Sequence, residues 1–199
     1  MSERSGSPEG AGPARTGRPR DPGADRRILD ATLRLVSERG YAGLRVSEIA
    51  DRAGVGKATI YRRWSSKAHL VVAAVRSLPA MPDVDSGDLV KDLVSIMGGF
   101  VEVFVSTPLS SVLPALVVEA ARDPELALAM EPLRRERTRP ILVALERGRE
   151  RGDIDARADA DFALALITGP VLARLLLGGE APPRFVEQVI TAAVGALAA

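Results

Sequence analysis

Cysteine is absent from the chain, and histidine occurs once, as His69. The first absence excludes disulfide frameworks, thiolate metal centres and cysteine nucleophiles, and the second removes most histidine-based metal and triad chemistry. There is no phosphate-binding glycine loop and no His/carboxylate cluster. The acidic pairs Asp153/Asp155 and Asp159/Asp161 cap or precede predicted helices and need no catalytic role. The sequence thus lacks the parts of an enzyme and calls for no cofactor and no metal. Long apolar runs are missing too. The longest, Phe162 to Leu177, is broken by Thr168, Gly169, Pro170 and Arg174, short of the roughly 20 residues a spanning helix needs. It reads as buried helix, with no membrane partner. Residues 1–20 are polar, without the apolar stretch of a secretory signal, so a cytoplasmic location is expected.

What remains is a chain of 199 residues, 46% hydrophobic, long enough for one sizeable core or for a small module joined to a larger one. The net charge of +1 is uninformative, but its distribution is not. Arg15 to Arg76 holds about fourteen Lys/Arg against six Asp/Glu, whereas from Ser77 onward there are about twelve against eighteen. A basic first third followed by an acidic remainder is the footprint of one module that meets phosphates and another that does not.

Residues 1–22, rich in Gly, Pro, Ser and Arg, read as a disordered basic arm. Apolar spacing through Ile28, Leu29, Ala31, Leu33, Leu35 and Val36 predicts a first helix from Ala24, stopped at Gly40. Two short helices follow, about 46–53 and 57–64, separated only by Gly54, Val55 and Gly56. A three-residue turn containing glycine between short helices is the helix-turn-helix signature, because glycine tolerates the left-handed backbone that swings the second helix across the first. Ser65 and Ser66 are N-cap candidates for a helix over 67–78. The rest shows helical period and no strand signal, with helices predicted over 88–106, 109–121, 124–151, 158–177 and 183–197. Asp123-Pro124 and Pro183 mark two starts, and Pro132 and Pro140 predict a kink or a split in the long one. The expectation is an all-α protein of about nine helices, with a helix-turn-helix module over 23–80 and a second helical module over 81–199, which the family resemblance given below makes the regulatory and dimerisation domain.

The second short helix has the chemistry of a major-groove reader. Lys57 offers a donor to guanine or phosphate, Ala58 a methyl for thymine, and Thr59 a hydroxyl that serves either. Tyr61, Arg62, Arg63 and Lys67 supply flanking phosphate contacts, and Arg45 stands at the N-terminus of the preceding helix, where a phosphate is also welcome. Trp64 reads as core, and His69 as a surface or phosphate-facing residue.

On these residues the chain resembles the TetR family. The stretch Arg27 to Val75 carries "ERGY" at the end of helix 1, "IA..AGV" through helix 2 and the turn, "K.T.Y" in the recognition helix and "SK..L" opening helix 4, roughly fifty residues of ordered matches. The resemblance implies DNA contacts at Lys57, Thr59, Tyr61 and Lys67. Gly56 stands where the family often has a serine cap, and Leu44-Arg45 where it often has threonine; Gly56 is counted with the candidate DNA-binding positions. The stretches Glu119 to Leu126 and Gly169 to Gly179 are similar to one branch of the family.

Beyond the reader, the helix over 158–177 is apolar nearly all round and requires cover on more than one side. With the last helix it fits a four-helix interface between two copies of the chain, with Leu164, Ile167, Val171, Leu175, Phe185 and Val189 as interface candidates. The family resemblance implies the same arrangement, and with it a ligand cavity among the middle helices, lined by Met97, Phe100, Phe104, Leu113, Leu116, Met130, Leu133 and Leu142. Each of these is also an ordinary core residue, and Glu119 is either a polar anchor in that cavity or half of a surface ion pair with Arg122. With the resemblance, the function expected is a homodimeric, sequence-specific transcriptional regulator; the resemblance implies a repressor released from a palindromic operator in double-stranded DNA by a small-molecule effector, and the cavity's expected lining makes that effector mainly apolar. The alternative is a helical interaction or architectural module without ligand response.

Overall fold

The computed structural model describes residues 23–198, so the arm expected at 1–22 lies outside the described residues. Among those residues there are nine helices and no strand: α1 (Ala24–Arg39), α2 (Val46–Ala53), α3 (Lys57–Tyr61), α4 (Lys67–Arg76), α5 (Leu89–Ser106), α6 (Leu109–Ala120), α7 (Pro124–Arg151), α8 (Ala160–Leu176) and α9 (Pro183–Leu197). No single helix among them is long and apolar enough to cross a membrane.

Local chemistry sets most of the boundaries. Asp88, Asp123 and Asp159 each accept a first-turn amide, the Asp123 carboxylate taking both Glu125 N–H (3.0 Å) and Leu126 N–H (3.1 Å) ahead of Pro124. Ser66 caps α4 by accepting from His69 N–H. Several expectations change, α8 among them, running Ala160–Leu176 where 158–177 was expected. α3 stops at Tyr61, not Trp64, because the amides of Arg63 and Trp64 both turn back to Ile60 O and tighten the chain. α4 ends at Arg76, two residues early. α7 runs unbroken for 28 residues past Pro132 and Pro140, where a kink or split was expected. Its packing against α4, α5, α6 and α8 holds it together along its length.

The helices form two bodies with α4 between them. α1, α2 and α3 close a small core through Ile28, Leu35, Ile49 and Ile60, none more than 1% exposed. The larger body stacks α5 on α9, α9 on α8, and α5 and α8 on α7, with α6 crossing between α5, α7 and α8. α4 packs on α1 with one face and on α7 with another, so Leu70, Val71 and Ala74 are fully buried.

α8 divides its apolar surface in a way the periodicity did not resolve. Ile167, Val171 and Leu175, expected at a subunit interface, are 0–5% exposed within one chain. They face α9 and the rest of the body and are therefore unavailable to a partner. Leu164, Phe185 and Val189 are half-buried, Phe185 lying under the guanidinium of Arg174 at 4.4 Å. The outward face of α8 is instead Phe162, Ala165, Gly169 and Ala173, with Leu166 half-buried beside it.

Because Ala74 is fully buried on α4, Ala74→Leu adds bulk inside the packed core without lowering helix propensity. It is expected to destabilise the protein by about 1–3 kcal/mol, read as a lowered thermal midpoint with helix content preserved.

Candidate nucleic-acid interface and cavity

The helix-turn-helix corner is built on one backbone conformation. Gly54 has φ 66° and ψ 39°, and its amide returns to Ala50 O and Asp51 O, closing α2. Val55 N–H then reaches Ala50 O at 3.0 Å, and Gly56, extended at φ −77° and ψ 147°, opens α3. Ile60 is driven into the small core, which turns the opposite side of α3 outward.

That outward side carries most of the residues singled out as DNA-facing. Arg45, Gly56, Lys57, Ala58, Tyr61 and Arg62 are exposed, Tyr61 by 54%, and Thr59 is half-buried at their edge. Lys57, Arg62 and Arg45 have no carboxylate partner among the described residues, so their charges are available to an anion. Nothing lies within 4 Å of a Cβ built on Gly56.

Two of the candidates are already engaged. Arg63 turns back to α1, where its Nε sits 2.8 Å from Asp25. Lys67 lies over the ring of Tyr41, 4.2 Å from its centre, and donates to Tyr41 O at 3.1 Å. Tyr41 in turn donates its hydroxyl to Asp123, the cap of α7, at 3.1 Å. Burial, with that hydrogen bond, pushes the Tyr41 phenol well above its usual range, and the Leu126 amide holds the Asp123 carboxyl below its own. Lys67, Tyr41 and Asp123 therefore tie the reading module to the larger body near the N-terminal end of α4. In the sequence, Tyr41 showed only as the end of a helix signature.

The larger body holds a half-open cavity of about 460 Å³ bounded by the end of α4, the segment after it, and α5 to α8. Met97, Phe100, Leu113, Leu116, Met130 and Leu133 line it, as expected. Three other candidates do not. Phe104 packs behind Phe100, ring centres 6.1 Å apart; Leu142 lies on the outer side of α7, 36% exposed; and Glu119 is outside, 4.0 Å from Arg122, the surface pairing already considered. Sequence reasoning missed the walls given by α4 and its extension (Val72, Val75, Leu78, Pro79, Met81) and by α8 (Thr168, Leu172, Leu176). The signal was present in α8, since a helix apolar on all sides needs more than one partner.

Polar groups on the cavity wall are satisfied from within. Glu131 accepts from Arg134 (2.8 and 2.9 Å) and Arg135 (2.8 Å), which hold its carboxyl at about 2. Thr138 and Thr168 donate to the carbonyls of Arg134 and Leu164, at 3.0 and 2.8 Å. Arg137 spends its donors on backbone carbonyls of the chain between Val75 and Pro79. No group of three or more metal-ligating side chains occurs among the described residues.

A helix-turn-helix with an open cationic reading face, carried on a helical body with an apolar cavity, defines a DNA-binding regulator. Residues 28–74 match the family described as "Bacterial regulatory proteins, tetR family", and residues 83–193 match "Tetracyclin repressor-like, C-terminal domain". The uncharacterized HTH-type transcriptional regulator YdeS of Bacillus subtilis is 32% identical over 173 residues, 84% of this chain and 85% of that protein. The crystal structure of the TetR family transcription regulator SCO0332 is 29% identical with a TM-score of 0.68, covering 89% of this chain and 100% of that one. FadR of Bacillus subtilis, solved with stearoyl-CoA, has the same fold at 18% identity and a TM-score of 0.67, covering 85% and 97%. The chain belongs to the TetR family of bacterial transcriptional regulators.

The left-handed backbone at Gly54 gives a direct check on the corner. Gly54→Ala meets no neighbouring atom, so its cost is conformational, about 1–2 kcal/mol. Chemical denaturation should show that loss, with DNA affinity falling further than the stability change alone accounts for.

Proposed function

We propose that two copies of this chain bind a palindromic operator through α3 and repress transcription, and that an uncharged, mainly apolar molecule in the cavity releases them. The observation that carries the DNA half is the outward side of α3, where Lys57, Ala58 and Thr59 stand at the helix N-terminus, where recognition helices meet base edges. Arg45, Tyr61 and Arg62 flank them as phosphate contacts, and Gly56 leaves room for close backbone approach. Arg63 and Lys67 contribute chiefly by fixing α1 and α4 around the reader, since both are held inside the chain. The "DNA-binding transcriptional repressor TetR" of Mycobacteroides abscessus, 29% identical over 171 residues, supports the sign of regulation.

Dimerisation is assigned to the outward faces of α8 and α9. Phe162, Ala165, Gly169 and Ala173 on α8, with Thr191, Ala192, Gly195 and Ala196 on the C-terminal half of α9, are exposed, uncharged and mostly small, and Arg184, Glu187 and Gln188 border them at the start of α9. Such residues let helices of two subunits approach closely in a four-helix interface. The pair then sets the two α3 helices in successive major grooves, about 34–36 Å apart. The protein acts by binding, not catalysis, on DNA in the cytoplasm. The effector is assigned as apolar and uncharged because Glu131, Arg137, Thr138 and Thr168, polar groups of the cavity wall, already have partners.

Selection of operators from random duplexes by the full chain tests this reading, and a palindromic consensus is expected. On the selected duplex, Lys57→Ala and Tyr61→Ala should leave the dimer intact on gel filtration. Lys57→Ala should weaken binding by about 1–3 kcal/mol if it reads a base, or lower the slope of log affinity against log salt by about one if it meets a phosphate. Recovery of no consensus, with affinity indifferent to both substitutions, would leave a helical interaction module in its place.

A further inference from the structure

The C-terminal end of α4 is capped from another helix. The last carbonyls of a helix lack partners within it and carry the negative end of its dipole, so a cation nearby is favourable. In most helices the chain just beyond supplies the cap. Here Ser77 and Leu78 turn back to Ala73, Ala74 and Val75, and the remaining demand is met from α7 by the guanidinium of Arg137. Its Nη2 donates to Val75 O (3.1 Å), Arg76 O (3.2 Å) and Leu78 O (2.8 Å), and its Nη1 donates to Pro79 O. No carboxylate is within ion-pair distance of this guanidinium among the described residues, the neighbouring Glu136 being paired with Arg76 at 2.9 Å. Burial pulls the Arg137 pKa below the ordinary arginine value, yet a guanidinium remains charged. Its charge is therefore balanced chiefly by carbonyl dipoles, with the Glu136 carboxylate acting on it only from beyond ion-pair distance.

The same residues form part of the cavity. Arg137 lines it, together with Val75, Leu78 and Pro79, three of the four residues whose carbonyls Arg137 holds. We infer that Arg137 is the positioning residue that transmits the state of the cavity to α4 and through it to the reading helix. This rests on the reading of the cavity as the effector site.

The geometry makes the transmission specific. α4 is tied to α7 at both ends: at the far end by Arg137, and near its start by Lys67, Tyr41 and Asp123. Only the Arg137 end borders the cavity. A molecule that presses on Leu78, Pro79 and the α7 wall displaces one end of α4 while the other stays fixed. The helix then tilts, carrying with it α1, which packs on α4, and through α1 the α2–α3 pair. For that to happen the segment after Arg76 must be fastened to α7. Further along the chain Arg147 holds Val84 O at 3.1 Å and pairs with Asp83 and Asp85, so without Arg137 the irregular stretch 77–82 between that anchor and α4 yields, and only the exposed Arg76–Glu136 pair still fastens the end of α4.

The test uses the full-length dimer, the operator selected by the wild type as a fluorescent duplex, and the uncharged apolar fluorophore N-phenylnaphthylamine as the cavity probe. In the wild type, saturating probe is expected to weaken operator binding within the ordinary range of allosteric coupling, about 5- to 150-fold. In Arg137→Met the probe should still bind with an affinity within about threefold of the wild type, while the operator response falls below about twofold. Arg137→Lys keeps the charge and a single donor head and should recover part of the response, which a purely structural role for Arg137 would not produce. If Arg137→Met lacks helix content by circular dichroism, the lysine variant alone decides, a full wild-type response in it counting against the inference. An undiminished response in a folded Arg137→Met overturns it while leaving the effector site standing. Probe that fails to bind, or that binds without moving operator affinity in the wild type, removes the effector-site reading and this inference with it.

Discussion

The small helix-turn-helix body and the larger body meet chiefly through one ten-residue helix, α4, with α1 against α6 and Tyr41 on Asp123 as lesser contacts beside it. α4 is wedged between α1 and α7, with Leu70, Val71 and Ala74 fully buried. Close packing of this kind transmits displacement rather than absorbing it, because a filled interface has few intermediate arrangements. The carbonyls at its end are held by a guanidinium from the far body, and hydrogen bonds from a charged donor are stronger than neutral ones, about 1.5–3 kcal/mol each. The two bodies are thus one mechanical unit, although their sequences read as separate modules with opposite charge balance.

The reading surface and the cavity are opposites in how they treat polar groups, and each is suited to its partner. On α3, Lys57 and Arg62 are left unpaired and exposed, a costless arrangement in water that becomes favourable beside a polyanion. In the cavity, Glu131, Thr138, Thr168 and Arg137 are all bound to other parts of the chain. A charged ligand would have to strip one of them, whereas an apolar one only needs the space. Similarity of fold to a regulator solved with stearoyl-CoA does not alter that balance, since it is these side chains and not the fold that set the ligand chemistry.

Local features were legible in the sequence because their causes are local. Gly54 with a three-residue turn, the Asp123-Pro124 start and the Ser66 cap each state their structure within a few residues, and the resemblance over Arg27 to Val75 carried the module. The misreadings share a different origin. Arg137 belongs to a run, RRERTR, that looks like a solvated helix face, and nothing within one turn of it reveals a partner some sixty residues earlier. Arg63 and Lys67 had the right charge for phosphate but are held by Asp25 and Tyr41, partners brought close only by folding. Ile167, Val171 and Leu175 were assigned to a subunit interface because apolar periodicity tells that a face is buried, not by which chain. Pro132 and Pro140 failed to break α7 because tertiary contacts on several sides outweighed two missing hydrogen bonds.

The central claim is that the cavity sets the placement of the reading helices through α4. Because the chain contains no cysteine, a single cysteine introduced at the exposed Ala42 can carry a spin label, and pulsed electron paramagnetic resonance then gives one distance across the dimer. The account predicts a distance distribution in the free protein that shifts when N-phenylnaphthylamine fills the cavity and returns on adding operator duplex. A distribution that stays the same with the cavity empty or filled, under conditions where the probe is bound, would contradict it.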